Sequence, residues 1–385
     1  MQRYLGDTLV TTTYDAIVLG LGGMGSATAY RLAARGLRVL GLEQFTPGHD
    51  RGSSHGGTRI IREAYFEDPA YVPLVQRAYT DWERLEQETG RELLRLTGGL
   101  MLGRADTALV SGALASARMH TLQYTILNAD DVRQRYPMFQ LEPDEIGVYE
   151  PRTGFLSPEA CVRAHLELAA RTGAELHFEE RVSSWHADGD GVEVVTVRGR
   201  YHASRLVITA GPWAGILIRE LTSLLRVERV PVFWFQPQHT SGEFARADCP
   251  IYIWQRDDVG FFYGFPQIEG QVKVARHYAG DTADPEALDR TVHADEIAEM
   301  RAILTRFIPD LAGELSKTSV CMYTNSPDLH FLIDRHPEHP QVVVAAGFSG
   351  HGFKFCPVVG EMLAALAATD QAVPPIDLFR WSRLH

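Results

Sequence analysis

Apolar and polar positions along this chain fall into distinct rhythms. Asp15-Ala16-Ile17-Val18-Leu19 is a short apolar run that reads as a buried strand, and Leu37 to Leu42 is a second. Between them Ser26 to Arg35 is Ala-rich and amphipathic, which predicts a helix. Helical spacing returns over 71–88 and 106–117, and Ser157-Pro158-Glu159 reads as the cap and first turn of a helix to about Arg171. Segments 174–178, 191–197 and 205–211 predict strands, the last one buried and ending in a Gly turn. Then the texture changes. Runs 230–235, 251–254, 260–265 and 272–277 are short, aromatic and β-branched with turn residues between them, which predicts an antiparallel sheet. Segment 341–346 is again a buried strand, and 358–367 is a helix. Residues 1–13 are polar and read as a frayed extension.

Strand-helix-strand grammar at the start, its return near residue 205 and again near 341, and a different lobe between them imply a discontinuous domain with an insertion. The expected fold is α/β plus α+β. A Rossmann-like domain takes 14–85, 150–217 and 320–385. An inserted domain on the antiparallel sheet takes 86–149 and 218–319.

The first strand enters Gly20-Leu21-Gly22-Gly23-Met24-Gly25 and the second ends on Glu43. Each part has a physical task. Gly20 allows a tight turn, Gly22 lets backbone approach a pyrophosphate, and Gly25 lets helix and strand pack closely. The helix N-terminus faces the phosphates, and Glu43 accepts from a ribose diol. The fingerprint accepts NAD or FAD. Its position at the very start suits a large cofactor that the rest of the chain wraps. Next comes Gly52-Ser53-Ser54-His55-Gly56-Gly57-Thr58-Arg59-Ile60-Ile61-Arg62. His55, Arg59 and Arg62 stand at i, i+4 and i+7, so a helix there would put them on one face. The plain alternative is a solvated basic face, against which Ile60 and Ile61 make the segment half-apolar. Near the end, Gly347, Gly350 and Gly352 let the backbone come close to something at the start of the last helix.

Composition narrows the picture. The 385 residues are 45% hydrophobic with a net charge of −12, so a sizeable core is affordable and nucleic acid or an anionic membrane is a poor partner. No apolar run is long enough to span a bilayer. The four cysteines (Cys161, Cys249, Cys321, Cys356) lack CxxC spacing, which argues against a disulfide framework or a metal site and for a reducing cytoplasm. Of 37 basic residues only three are lysines: Lys273, Lys317 and Lys354. A chain that uses arginine so freely keeps lysine where a compact ammonium of adjustable pKa is wanted. Lys317 reads as surface. Lys273 and Lys354 have apolar neighbours.

These residues resemble the monomeric sarcosine oxidase and N-methyltryptophan oxidase family of flavoprotein amine oxidases, within the D-amino-acid-oxidase-like flavin fold. The resemblance covers nearly the whole chain after Thr13. It is carried by Gly20–Gly25, Gly52 to Arg62, Tyr263-Gly264-Phe265-Pro266, Lys273 with His277, Cys321-Met322-Tyr323-Thr324, and Gly347 to Phe355. It implies FAD held covalently by Cys321 through an 8α-S-cysteinyl thioether. It implies that Arg62 and Lys354 hold a substrate carboxylate, that Lys273 activates oxygen, and that Arg59 and His55 form a cationic pair near the flavin face. Tyr263, His277 and Tyr323 would line the substrate cavity. The implied cofactor contacts are Gly20, Gly22, Gly25, Glu43, Ser53, Thr58, Val182, Gly211, Cys321, Gly347, Gly350 and Gly352. The implied partners are a small amino-acid substrate and O2, and the implied state is a monomer. The chain departs from the family pattern at Ser54, where a histidine is usual, and at Gly57, where an aspartate is usual. The Tyr263-to-Lys273 interval is one residue shorter, and Ile253-Trp254 differs from the sarcosine enzymes.

The expected reaction is oxidation of an N-methyl or cyclic amino acid to an imine, with O2 reduced to hydrogen peroxide. Three alternatives are weighed against it: an enzyme of the same fold acting on a modified RNA base or a simple amine, a dinucleotide-binding protein without chemistry, and an NAD dehydrogenase. The net charge of −12 argues against an RNA substrate.

Overall fold

The computed structural model describes residues 13–238, 242–369 and 377–384. The extension read over 1–13 lies outside them apart from Thr13. Two eight-stranded sheets and one three-stranded sheet organise these residues.

The first sheet has a parallel centre. Thr13–Leu19 lies between Val39–Leu42 and Arg200–Ile208, and Glu175–His177 and Val342–Ala346 extend it on either side. Val182–Asp188 and Gly191–Thr196 add an antiparallel arm, and Leu332–Arg335 pairs antiparallel with Val342–Ala346. The central strands are buried on both faces, which is why they read as unbroken apolar runs. The helices Gly23–Ala33, Pro158–Arg171 and Cys356–Ala368 pack together over one face. A Cβ on Gly25 would overlap the Gly20 carbonyl oxygen and crowd Thr209 Oγ1, so helix and strand meet with no room to spare.

The second sheet runs in the order Leu315–Asn325, Arg226–Phe235, Val272–His277, Gly260–Gly264, Ile251–Arg256, Gly99–Arg104, Glu145–Glu150, Thr125–Asn128. The expected antiparallel sheet is present with one exception. Ile251–Arg256 pairs parallel with Gly99–Arg104, because these strands come from distant parts of the chain and no hairpin dictates their direction. Helix Ala294–Phe307 joins Trp254, Phe262 and Phe235 in one apolar cluster on one face of the sheet. Strand Leu315–Asn325 was not predicted. Its polar first half, Leu315-Ser316-Lys317-Thr318-Ser319, hides the alternation.

The basic segment departs from the conditional helix reading. Residues 50–58 are bends and turns, and Arg59–Ile61 is a strand paired with Gly154–Leu156 in the small third sheet. Gly56 and Gly57 both have positive φ (91° and 78°), which a helix does not accommodate. A loop and a strand therefore bring His55 and Arg59 to Cys321, while Arg62, just past the strand, turns to Glu67.

Gly25→Ala is expected to lower stability by about 1–3 kcal/mol by overpacking this joint. The check is a urea unfolding midpoint that falls at unchanged m value.

Candidate functional site

A cavity of about 370 Å³ runs from the Gly-rich turn to the loop at the end of the second sheet. At one end its wall is Gly20, Gly22 and Glu43, and further along come Val182 and Gly211. At the other end are Ser53, Arg59, Tyr323, Gly350 and Gly352. Gly25, Thr58, Cys321 and Gly347 do not line it, although Met322, next to Cys321, does. Gly25 serves helix packing, and Gly347 (φ 63°) turns the chain beside Ser326. Glu43 Oε2 accepts from the Leu21 N–H at 2.8 Å and Oε1 from the Phe45 N–H at 3.0 Å, which fixes the carboxylate at the cavity wall.

The residues fit a bound FAD. The glycine cradle leaves space where any side chain would intrude. Three buried polar atoms near the sheet end have no partner: His55 Nε2, Thr58 Oγ1 and Thr324 Oγ1. Unpaired buried polar groups are costly, and a polar heterocycle in the cavity would supply the missing bond of Thr324, the one of the three that lines it.

Cys321 stands on the strand Leu315–Asn325, with Sγ 3.2 Å from Arg59 Nη2. Burial would raise its pKa, but Arg59, then His55 and Lys273, hold it down to about 6. Burial pushes the other three thiols up, so Cys321 alone of the four is poised as a thiolate near neutral pH. Lys273 is 4% exposed and donates to the Gly56 and Thr58 carbonyls at 2.8 and 3.0 Å. Burial, then Arg59, pushes its pKa well below the ordinary lysine value.

A second group adjoins the first. Arg62, 2% exposed, reaches both carboxylate oxygens of Glu67 at 2.6 and 2.8 Å. Its guanidinium lies 4.3 Å from the Tyr65 ring centre. Burial would raise Glu67, but Arg62, then His351 and Lys354, hold it down to about 2. Lys354 donates to the His351 carbonyl at 2.7 Å and to Tyr65 Oη at 3.3 Å. Burial and then Arg62 lower its pKa to about 7, against the pull of Glu67. His277 Nδ1 is 3.2 Å from Tyr323 Oη, and burial lowers His277 to about 3, so its ring is neutral at ordinary pH. Tyr263 stands edge-on to His277 with ring centres 6.4 Å apart.

The structure thus gathers the expected residues into two neighbouring clusters: Arg59, His55, Lys273 and Cys321, and Arg62, Lys354, His277, Tyr323 and Tyr263. Sequence reading missed Glu67, Tyr65 and Glu159. An acid five residues after Arg62 in Arg62-Glu63-Ala64-Tyr65-Phe66-Glu67 was an available signal for the first two. For Glu159, which bonds to a loop about a hundred residues away, there was none.

A family profile described as FAD-dependent oxidoreductase matches residues 15–366. A monomeric sarcosine oxidase of Streptomyces avermitilis is 51% identical over 97% of this chain and 99% of its own. An N-methyl-L-tryptophan oxidase of Yersinia pestis is 35% identical over 96% and 98%. Among solved structures, NikD, an unusual amino acid oxidase essential for nikkomycin biosynthesis, superimposes with a TM-score of 0.83 at 26% identity, covering 96% of this chain and 98% of NikD. Glycine oxidase from Geobacillus kaustophilus shares the fold, with a TM-score of 0.80 at 20% identity over 96% and 98%.

Arg59→Met is expected to raise the Cys321 midpoint from about 6 toward the ordinary thiol range or above, since the largest opposing charge is gone. Ultraviolet absorbance of the thiolate, followed against pH in flavin-free protein, reads this directly. An unmoved midpoint would assign the depression to His55 and Lys273.

Proposed function

The chain belongs to the FAD-dependent oxidoreductase family, and on that premise we propose that it is an amine oxidase of the sarcosine oxidase type. Its substrates are secondary amines that carry a carboxylate, N-methyl or cyclic amino acids, whose C–N bond is oxidised to an imine while O2 is reduced to hydrogen peroxide. Bound FAD supplies the acceptor for a hydride equivalent and the electrons that pass on to oxygen. The chain would hold it covalently through Cys321, the one cysteine of four whose surroundings favour the nucleophilic thiolate. A discontinuous FAD domain (14–85, 150–217 and 320–385) and a substrate domain (86–149 and 218–319) describe the division of labour.

The single observation that carries the substrate class is the Arg62–Glu67 pair beside Lys354. One Arg62 nitrogen, Nη2, donates to both oxygens of the Glu67 carboxylate, and the Lys354 amine beside that pair supplies charge for a substrate carboxylate. Arg62 and Lys354 would hold it by charge, Lys354 as a compact point charge. Neutral His277, with Tyr263 and Tyr323, offers the amine uncharged polar neighbours, and amine oxidation needs the free base. Lys273 holds a positive charge where electron transfer to oxygen builds a negative one. Among the described residues no helix is long and apolar enough to cross a membrane, and we place the enzyme in the cytoplasm as a monomer.

The test is a peroxide assay across sarcosine, N-methyl aromatic amino acids, proline and pipecolate, run with each acid beside its amide. Wild type should reject the amides. Arg62→Gln or Lys354→Gln should lose about 2–5 kcal/mol of acid binding and discriminate less between the two. Equal turnover of acid and amide by wild type would redirect the reading to simple amines.

Cys321→Ser should yield folded protein whose yellow colour is lost on acid precipitation, whereas wild type keeps it. Acid-stable colour in the variant would move the linkage to another residue.

A further inference from the structure

We propose that Glu159 is a positioning residue for Lys273 and acts through one peptide unit, Gly56–Gly57. The inference rests on the reading of Lys273 as the oxygen-side lysine and adds what keeps that lysine charged. The Gly57 N–H donates to Glu159 at 3.2 Å (Oε1) and 3.3 Å (Oε2), and the Gly56 N–H donates to Oε1 at 2.7 Å. The carbonyl of that same Gly56–Gly57 peptide accepts from Lys273 Nζ at 2.8 Å. A carboxylate therefore polarises the N–H end of an amide whose C=O end faces an ammonium. Hydrogen bonds chained in this way strengthen one another, more so away from water.

The backbone is shaped for the task. The Thr58 N–H donates to the Gly56 carbonyl at 2.9 Å, closing a γ-turn centred on Gly57 at φ 78°. This form of the turn is rare and strained, and glycine tolerates it best. It aims Gly56 O and Thr58 O at Lys273 while its N–H groups face Glu159. Glu159 is an acid in the first turn of the helix Pro158–Arg171, where the helix dipole favours an anion.

The charge balance around Lys273 gives Glu159 its weight. Arg59 from the Arg59–Ile61 strand and Lys317 from the Leu315–Asn325 strand favour loss of the proton, while Cys321 from that same strand and Glu159 from the helix favour its retention. The rings of Trp234 and Phe265 lie 5.6 and 5.2 Å from Nζ. If Cys321 is tied to the flavin as a thioether, its sulfur no longer carries charge. Of these four groups Glu159 is then the one anion left to offset burial.

The chain holds three lysines, so holoenzyme labelled with ¹³C at lysine Cε gives few signals, and Lys273→Met identifies the one that matters. In Glu159→Gln, which keeps an oxygen acceptor but no charge, the Lys273 midpoint should fall by about one pH unit. Flavin reoxidation by O2 should then decline with rising pH about one unit earlier. Glu159→Asp, which retracts the charge by one methylene, should show a smaller shift of the same sign. It also serves if the Gln variant does not fold. A Lys273 midpoint that is the same in the variants as in wild type overturns the proposal. If Lys273→Met reoxidises as fast as wild type, the oxygen reading of Lys273 fails instead, and the titration still reports on Glu159.

Discussion

Buried positive charge is the constraint around which this molecule is built. Arg62, Lys273 and Lys354 are each at most 4% exposed, and Arg59 is half-buried among them. A cation removed from water must be solvated by the chain, or it gives up its proton. Each finds oxygen atoms from its surroundings: Lys273 two loop carbonyls, Arg62 the Glu67 carboxylate, Lys354 the His351 carbonyl. Those bonds require residues 52–67, the end of the second sheet and the Gly347–Lys354 turn to meet at one place.

The meeting place is where the two sheets abut. Strand Leu315–Asn325 carries Met322, Tyr323 and Thr324 from the second sheet to the wall of the cavity in the first, with Cys321 next to them in the chain. Glu150 braces the approach by accepting from the Glu63 and Ala64 N–H groups at 2.8 and 3.0 Å. Trp82 Nε1 donates to the Lys354 carbonyl at 2.8 Å, so a core helix fixes the backbone that presents the lysine. The charges are held by elements whose own positions are set by packing, which is how a site keeps its geometry without substrate.

The same crowding tunes the chemistry. Burial and like charge lower Lys354 to about 7, whereas opposite charge overcomes burial at Cys321 and Glu67. Groups with ordinary values in water thus end up with a thiolate, a titratable lysine and a neutral imidazole within one region, a pattern common at functional sites.

Much of this was legible in the chain itself. The unbroken apolar runs, the GxGxxG turn and Glu43 determined the nucleotide-binding layer, because buried parallel strands and a pyrophosphate cradle leave few sequence solutions. The scarcity of lysine singled out Lys273 and Lys354 before any contact was known. What the sequence left open depended on distance through space. The i, i+4, i+7 spacing of His55, Arg59 and Arg62 suited a helix, yet positive φ at Gly56 and Gly57 and pairing with Gly154–Leu156 made a turn and a strand. Glu67 and Glu159 are two among 49 acidic residues, and the sequence marks Glu159 only as part of a helix start. Glu67 reaches Arg62 from five residues along the chain, but only the tertiary structure brings Glu159 to the Gly56–Gly57 peptide. Local pattern encodes which face of an element is buried. It does not encode which buried charges will face each other, since that is decided when segments a hundred residues apart share one desolvated space.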